Sequence, residues 1–441
     1  MMKPFIVIQG PVATRSGYGN HTRDLALSLI KSEKYNIQIV SLPWGITPMN
    51  ALEPDNVDHQ LIHSCIATTN ITQQPDVFIQ ISVPNEFVKN GKYNIGITAG
   101  IETTIVSPEF IQGANNMDLI LTTSEHSKST FIASTYDAVD KQSNKKTGEL
   151  KLEKPIEILY EGVDVNTYKK VSTIENTIVN ELKDIPESFC YLFVGHWLKG
   201  DIGHDRKDIG MMLKTYCEAF KRKSSKNIPG LILKSSHATF SVIDRDMLTE
   251  RIQRIIEPYG SKAPNVYLLH GDCTDNEMNS LYNHPKVKAM ISFTKGEGFG
   301  RPLAEFSMTG KPIIASDWSG HKDFLKHATL LPGQLVDVHA SSADKFILKE
   351  AKWFTVDYSY AASILQDVVS NYKKYLENSR KQPQYIKDNF SLDGMKSLFC
   401  EYVDLGLTSI PQQMSLQLPK LKKVGTSAPK LKLPKLKKIK L

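Results

Sequence analysis

The 441-residue chain has little of what would mark a secreted, membrane-spanning or metal-built protein. Its five cysteines, Cys65, Cys190, Cys217, Cys273 and Cys400, are odd in number, scattered, and never spaced Cys-x-x-Cys. That excludes a disulfide framework and structural zinc as first readings and fits reduced, mostly buried thiols in a cytoplasmic protein. No apolar run approaches the ~18 residues of a membrane span. The start, Met-Met-Lys-Pro-Phe-Ile-Val-Ile-Gln-Gly, reads as a strand entering a turn and lacks the apolar core and cleavage site of a signal peptide. His196, His204 and Asp205 form no i, i+4 helical pair, so no metal site is expected.

Acidic residues are missing from residues 419–441, which carry nine lysines. Without those lysines the net charge falls from +7 to −2, so the body of the protein is near neutral. The segment repeats Pro-Lys-Leu-Lys three times, and its prolines rule out a continuous helix. Residues 406–441 read as a disordered basic tail that could neutralise an anionic membrane or nucleic acid. Interleaved leucines without aromatics suit a membrane or a protein groove better than DNA.

The length implies more than one domain. The most informative stretch is Gly296-Glu297-Gly298-Phe299-Gly300-Arg301-Pro302-Leu303-Ala304-Glu305. It follows an apolar run, Val287 to Phe293, that reads as a buried strand, and it opens a helix near Pro302. Glycines allow close backbone approach to a ligand, and helix N-termini attract anionic oxygens. Glu297 on the loop and Glu305 one turn into the helix can face one cleft. Such a loop suits a sugar nucleotide.

That block, followed by Gly310-Lys311-Pro312-Ile313-Ile314-Ala315-Ser316 and Ser319-Gly320, closely resembles the donor-site signature of retaining family-4-type glycosyltransferases. The resemblance implies a GT-B fold: two Rossmann-like, doubly wound α/β domains facing across a cleft. It covers most of residues 5–405 and is strongest over 287–320.

Within the first domain, expected over 1–164, Phe5–Gln9, Ile37–Leu42, Asp76–Ser82, Tyr93–Thr98, Asp118–Thr123 and Ile156–Tyr160 read as strands. Residues 43–75 read as irregular, and 135–153 as a polar, mobile surface loop. Gly17 and Gly19 follow the first strand without the third glycine and acid of a dinucleotide fingerprint, so NAD is not expected. By resemblance they face the donor diphosphate and the acceptor. Glu102 follows a strand end, where open α/β sheets place ligands. Its position resembles that of a family residue near the sugar. His126 reads as a solvated residue of a helix's first turn. Glu161-Gly162-Val163-Asp164 resembles the family's Asn-Gly-Val-Asp exit from the first domain, with a linker over 165–187.

The second domain, expected over 188–389, opens with the strand Phe189–Val194. The family carries an arginine directly after Gly195; here His196 stands there. Arg206 and Lys207, farther along, resemble the diphosphate clamp. Lys234 ends the next strand and could add to a phosphate site. Thr274 and Glu277 form a capping box. Helices are expected over Val356–Tyr372 and Ser379–Asn389. A last helix, 390–405, is expected to cross back onto the first domain.

By resemblance, Glu305 would bind the nucleotide ribose and Glu297 the hydroxyls of the transferred sugar. Backbone N–H groups around Gly298, Phe299 and Gly300, with Arg206 and Lys207, would stabilise the departing diphosphate. Neither a metal nor a cofactor is implied beyond the nucleotide sugar, whose base is unread. The first-domain sheet also resembles glycosyltransferases of large tailed phages, which would place the protein in a host cytoplasm. Three readings stay open: transfer to a glycan or lipid-linked acceptor, transfer to hydroxymethylated DNA, and binding of a nucleotide sugar or carbohydrate without turnover.

Overall fold

Nearly continuous apolar runs build two all-parallel sheets in the computed structural model, which describes residues 3–139, 145–221, 228–237 and 239–411. The first sheet holds β1 (Phe5–Gly10), β2 (Asn36–Ser41), β3 (Val77–Ile81), β4 (Tyr93–Thr98) and β5 (Leu119–Thr122). A hairpin, β6 (Tyr136–Val139) and β7 (Lys146–Leu150), precedes its last strand, β8 (Ile156–Ile158). The sheet order is β2-β1-β3-β4-β5-β8. The second sheet uses β9 (Cys190–Val194), β10 (Gly230–Lys234), β11 (Val266–Leu269), β12 (Val287–Ser292), β13 (Ile313–Ser316) and β14 (Thr329–Leu331), ordered β11-β10-β9-β12-β13-β14. A second hairpin, β15 (Gly333–Asp337) and β16 (Lys352–Val356), follows.

Helices cover both sheets, so the strands are buried on two faces. All five residues of β3 are buried. Its one polar member, Gln80, is satisfied by donating to the Glu86 carbonyl at 2.8 Å and accepting from Val88 N at 2.9 Å. The Gly17–Ser32 helix starts where Ser16 Oγ accepts from Gly19 N, 3.0 Å away, and it buries Leu25, Ala26 and Leu29. The Leu392–Ser409 helix inserts Met395, Phe399 and Val403 into this same first-domain core. Each such side chain contributes about 1.5–3 kcal/mol of burial. Val163 and Ser391 form an isolated parallel bridge, with Val163 N donating to the Phe390 carbonyl at 2.9 Å. Residues up to Ile410 belong to one compact unit.

Several segments differ from their sequence reading. Residues 43–75 contain a helix, Val57–Cys65, capped by Asn56; it buries only Ile62, which leaves little apolar period to see. The 135–153 segment is no plain loop but carries the β6–β7 hairpin, whose faces are mostly exposed. Tyr136 and Leu150, paired across it, pack against the first-domain core, and Tyr136 Oη donates to the Val106 carbonyl at 2.5 Å; residues 140–144 lie outside the described residues. The 165–187 linker contains the Asn176–Leu182 helix, which sinks Ile178 and Leu182 into the second-domain core. Val356 ends β16, and the next helix starts at Tyr358 behind its Asp357 N-cap. In the 379–389 stretch, Ser379 closes a separate helix, Tyr372–Ser379, and the next helix starts at Gln382, where Pro383 suits the first turn. The Thr274–Glu277 capping box is present. The last helix runs on through 409, and the basic stretch from 412 onward lies outside the described residues.

Candidate active site

Two parallel-strand ends in the second sheet deliver the charged groups, and the turn after a third pins one of their loops. After β9, the chain reaches Arg206 and Lys207 just ahead of the Ile209–Phe220 helix. Asp208 caps that helix from the left-handed region, φ 52°. Its carboxylate accepts from Tyr358 Oη at 2.6 Å and pairs with the buried Lys295 ammonium at 3.3 Å, which compensates the strain of that backbone. After β12 comes the glycine loop. Glu297 N donates to Ser319 Oγ at 2.9 Å, and Gly320 N donates to the Glu297 carbonyl at 3.0 Å, so the loop is pinned from behind.

The carboxylate of Glu297 meets both cations. Lys207 Nζ lies 2.5 Å from Oε1, and Arg206 Nη1 lies 3.3 Å from Oε2 and donates to the Gly296 carbonyl at 3.0 Å. Arg206 Nη1 is also 3.6 Å from Glu102 Oε1 of the first domain. Burial alone would raise the Glu297 carboxyl, but Lys207 and Arg206 outweigh it and hold it down to about 2. Glu102 moves upward, from burial and from the nearby Glu297 charge, against the pull of Arg206. Arg206, Lys207, Glu297 and Glu102 therefore form one four-charge cluster across the cleft.

Two of these glycines also make room for the other domain. A Cβ on Gly296 would lie 2.0 Å from the Glu102 carbonyl oxygen, and one on Gly298 would lie 1.9 Å from that of Ala99. Both glycines let the loop sit directly on the first-domain segment 99–102. Gly300 is conformational: it caps the Arg301–Ser307 helix at φ 102°. The Phe299 ring is buried, 4.8 Å from Phe324, so only its backbone can face the crevice. Lys207, Glu297, Gly300, Pro302 and Leu303 line that crevice, which encloses only about 10 Å³.

Beyond Gly300 lies a second charged group. Arg301 Nε donates to Glu305 Oε1 at 2.9 Å, and its Nη1 pairs with Asp24 Oδ2 of the first domain at 2.8 Å. Tyr282 Oη donates to Glu305 Oε2 at 3.2 Å. Burial, only partly opposed by Arg301, pushes the Glu305 carboxyl up to about 7. Burial does the same to Glu161, at the end of the first sheet, with Asp24 and Glu305 adding to the push.

The remaining predicted positions scatter. Gly19 is a tight-turn glycine, since its Cβ would lie 2.2 Å from the Thr14 carbonyl oxygen, whereas a Cβ on Gly17 would meet open space. Lys234 stands apart from the Glu297 cluster: its ammonium donates to the Gly271 carbonyl and lies 5.5 Å from the Phe240 ring centre. His196 pairs with Ser236 Oγ at 2.9 Å, and burial beside Lys207 lowers its pKa, so it does not replace an arginine's charge. Asp244-Arg245-Asp246 has Asp-x-Asp spacing, but Asp244 accepts from His237 N and Thr239 N, 2.8 Å each, and so is spent on its own loop. Among the described residues no group of three or more His, Cys, Asp or Glu could hold a metal ion. No described helix is long and apolar enough to cross a membrane.

Three residues escaped the sequence reading. His126 is not a solvated first-turn residue: its ring lies edge-on to Trp318 of the second domain, 4.5 Å between centroids, and burial lowers its pKa to about 4. Its place in a helix's first turn carried no sign of a partner nearly two hundred residues away. His321 is fully buried beside Gly300, and its Nε2 is 2.7 Å from the Ser316 carbonyl oxygen. A histidine directly after the Ser319-Gly320 turn was the available signal. Asp24, in the middle of a first-domain helix, had none.

No family model matches the chain, and no curated protein sequence does. Solved structures do. HepE from Anabaena in complex with UDP-glucose is 14% identical, with a TM-score of 0.56, over 91% of this chain and 100% of that one. Sucrose-phosphate synthase from Thermosynechococcus elongatus is 11% identical, with a TM-score of 0.60, over 92% and 100%. A glycosyltransferase from Rickettsia africae is 13% identical, with a TM-score of 0.57, over 92% and 99%. Identities this low speak to architecture: the fold is GT-B, two Rossmann-like domains.

Proposed function

We propose that the protein is a retaining glycosyltransferase that moves a sugar from a nucleotide-sugar donor to a hydroxyl of a glycan or lipid-linked acceptor. The observation that carries this reading is the convergence of Arg206, Lys207 and Glu297 beside the Gly300 helix start, at the strand ends that face the other domain. Two cations there would offset the charge that builds on a departing diphosphate, worth several kcal/mol per well-placed group. Such a site needs no divalent metal, so activity in EDTA is expected to match activity in buffer alone. Glu297 would accept hydrogen bonds from sugar hydroxyls, with Glu102 facing the same sugar. Glu305 would take the ribose. A donor has to displace carboxylate oxygens from Lys207 and Arg206, and the crevice has to widen to admit it.

Thermal stability against UDP-, GDP-, ADP- and CMP-sugars tests the site. A donor at 100 times its dissociation constant adds about 2.7 kcal/mol. The expected result is a shift with one nucleotide family, UDP first because HepE of the same fold has been seen with UDP-glucose. That shift should vanish in Glu305→Ala, measured against the variant's own baseline. No shift with any member would overturn the donor site. One observation favours binding without turnover: the neutral His196 where the resemblance places an arginine. A donor shift without product or donor hydrolysis would establish that alternative.

A further inference from the structure

The first domain holds a cavity of about 400 Å³ away from the Glu297 cluster. Its walls include Pro11 after β1, Leu42 and Trp44 after β2, and Ser82, Val83 and Glu86 after β3. Strand β1 lies between β2 and β3, so the chain leaves it on one side and returns on the other. Such a reversal opens a crevice at the carboxyl ends of the strands, where open α/β sheets bind ligands. Trp44 is held in place: its ring stacks on Tyr18, 4.1 Å between centroids at 26°. Tyr18 Oη is 3.1 Å from Thr98 Oγ1 and accepts from Ala99 N at 3.0 Å. Ala99 is the residue against which Gly298 packs. The aromatic wall is thus linked through three contacts to the loop that carries Glu297.

The lining chemistry narrows the occupant. It offers an indole, proline and aliphatic surfaces, the buried Ser82 and one carboxylate, Glu86, which accepts from Ser82 Oγ. No lysine or arginine lines it. A nucleic-acid backbone or an anionic head group would meet a carboxylate and no counter-charge. A neutral pyranose fits: its C–H face packs on an aromatic ring and its hydroxyls donate to a carboxylate. Resting on the transferase reading above, we infer that this cavity binds an uncharged sugar ring of the acceptor, with Trp44 as its platform and Glu86 as its hydroxyl acceptor.

The test titrates the full chain with methyl α- and β-glycosides of glucose, galactose, mannose and N-acetylglucosamine, with maltose, cellobiose and lactose, and with a short hydroxymethylated duplex DNA. Binding is followed by saturation-transfer NMR. The expected result is millimolar binding of at least one neutral sugar, weakened about tenfold or more in Trp44→Ala, largely restored in Trp44→Phe, and weakened severalfold in Glu86→Gln. The donor-induced thermal shift should persist in all three variants, which also reports that they fold. Failure of every panel sugar to bind, or binding unchanged in Trp44→Ala, overturns the inference. Duplex binding lost in Trp44→Ala overturns it in favour of nucleic acid. A donor shift that survives any of these results leaves the transferase reading standing; its absence in the wild type sinks that reading separately.

Discussion

On one side of Gly300, a carboxylate is surrounded by cations; on the other, a cation is surrounded by carboxylates. Glu297 meets Lys207 and Arg206 and is held at about 2. Arg301 faces Glu305, Glu161 and Asp24, and two of those carboxyls rise to about 7. Both groups are buried and both span the two domains, so burial does not separate them. The difference is the balance of charges: Arg301 faces Asp24, Glu305 and Glu161, whereas Glu297 meets Lys207 and Arg206. One loop and the helix it opens thereby hold, eight residues apart, an acid kept ionised by cations and an acid that burial pushes up to about 7.

The strongest way to break this contrast is Glu297→Gln. Transfer should fall about 10³-fold, on the scale seen when one electrostatic partner is removed from a transition state. The donor-induced thermal shift should remain or grow, because Lys207 and Arg206 lose their internal competitor. Undiminished turnover in a steady-state assay would show that the cationic cluster is only structural. Next comes Arg301→Gln, which removes the cation paired with both Asp24 and Glu305. Urea unfolding should show a loss of about 3 kcal/mol, the cost of breaking a buried pair from one side. Adding Asp24→Asn should recover part of it. No recovery would mean that the Arg301–Asp24 contact does not couple the domains.

A pH titration sharpens the comparison with a smaller effect. Glu161 and Glu305 hold protons in the folded state well above the ordinary value of 4.5. The folded protein then binds more protons than the unfolded chain between about 4.5 and 7. Stability from these groups is present below that window and is lost as pH rises through it, by up to about 3 kcal/mol for each carboxyl. Glu297 has the opposite sign: its contribution is present above 4.5 and is lost as pH falls toward about 2. Denaturation midpoints at pH 5, 6, 7 and 8 should therefore decline in the wild type and flatten in Glu161→Gln. A profile unchanged by Glu161→Gln would remove that carboxyl from the cluster's proton balance.

Much of the scaffold was legible because buried parallel strands write themselves as apolar runs, and the Gly296–Glu305 block could be recognised as a strand-loop-helix junction. Local chemistry carried that far: Arg206 and Lys207 are neighbours in sequence, and Glu297 and Glu305 share one loop and helix. What stayed hidden depends on the facing of the domains. Glu102 on Arg206, Asp24 on Arg301 and Trp318 on His126 are contacts between residues roughly one to nearly three hundred positions apart, with no local trace. The same holds for Gly296 and Gly298, whose missing side chains make room for the backbone of the first domain. The β6–β7 hairpin was unreadable for the converse reason: it is mostly exposed, and only Tyr136 and Leu150 anchor it to the core.

Lys234 supplies the smallest effect and the cleanest control. It ends β10 near the cluster's side of the sheet, yet its ammonium is engaged by the Gly271 carbonyl and the Phe240 ring. A lysine anchored in this way lends charge at a distance but no contact, and at physiological salt such a contribution is largely screened beyond about 8 Å. Lys234→Met should therefore change donor affinity less than about threefold, below roughly 0.7 kcal/mol, where Lys207→Met should cost far more. Isothermal titration of both variants with the donor found in the thermal panel compares them directly. Equal losses would mean that the diphosphate draws Lys234 away from Gly271, and the cationic side of the comparison would then contain three groups instead of two.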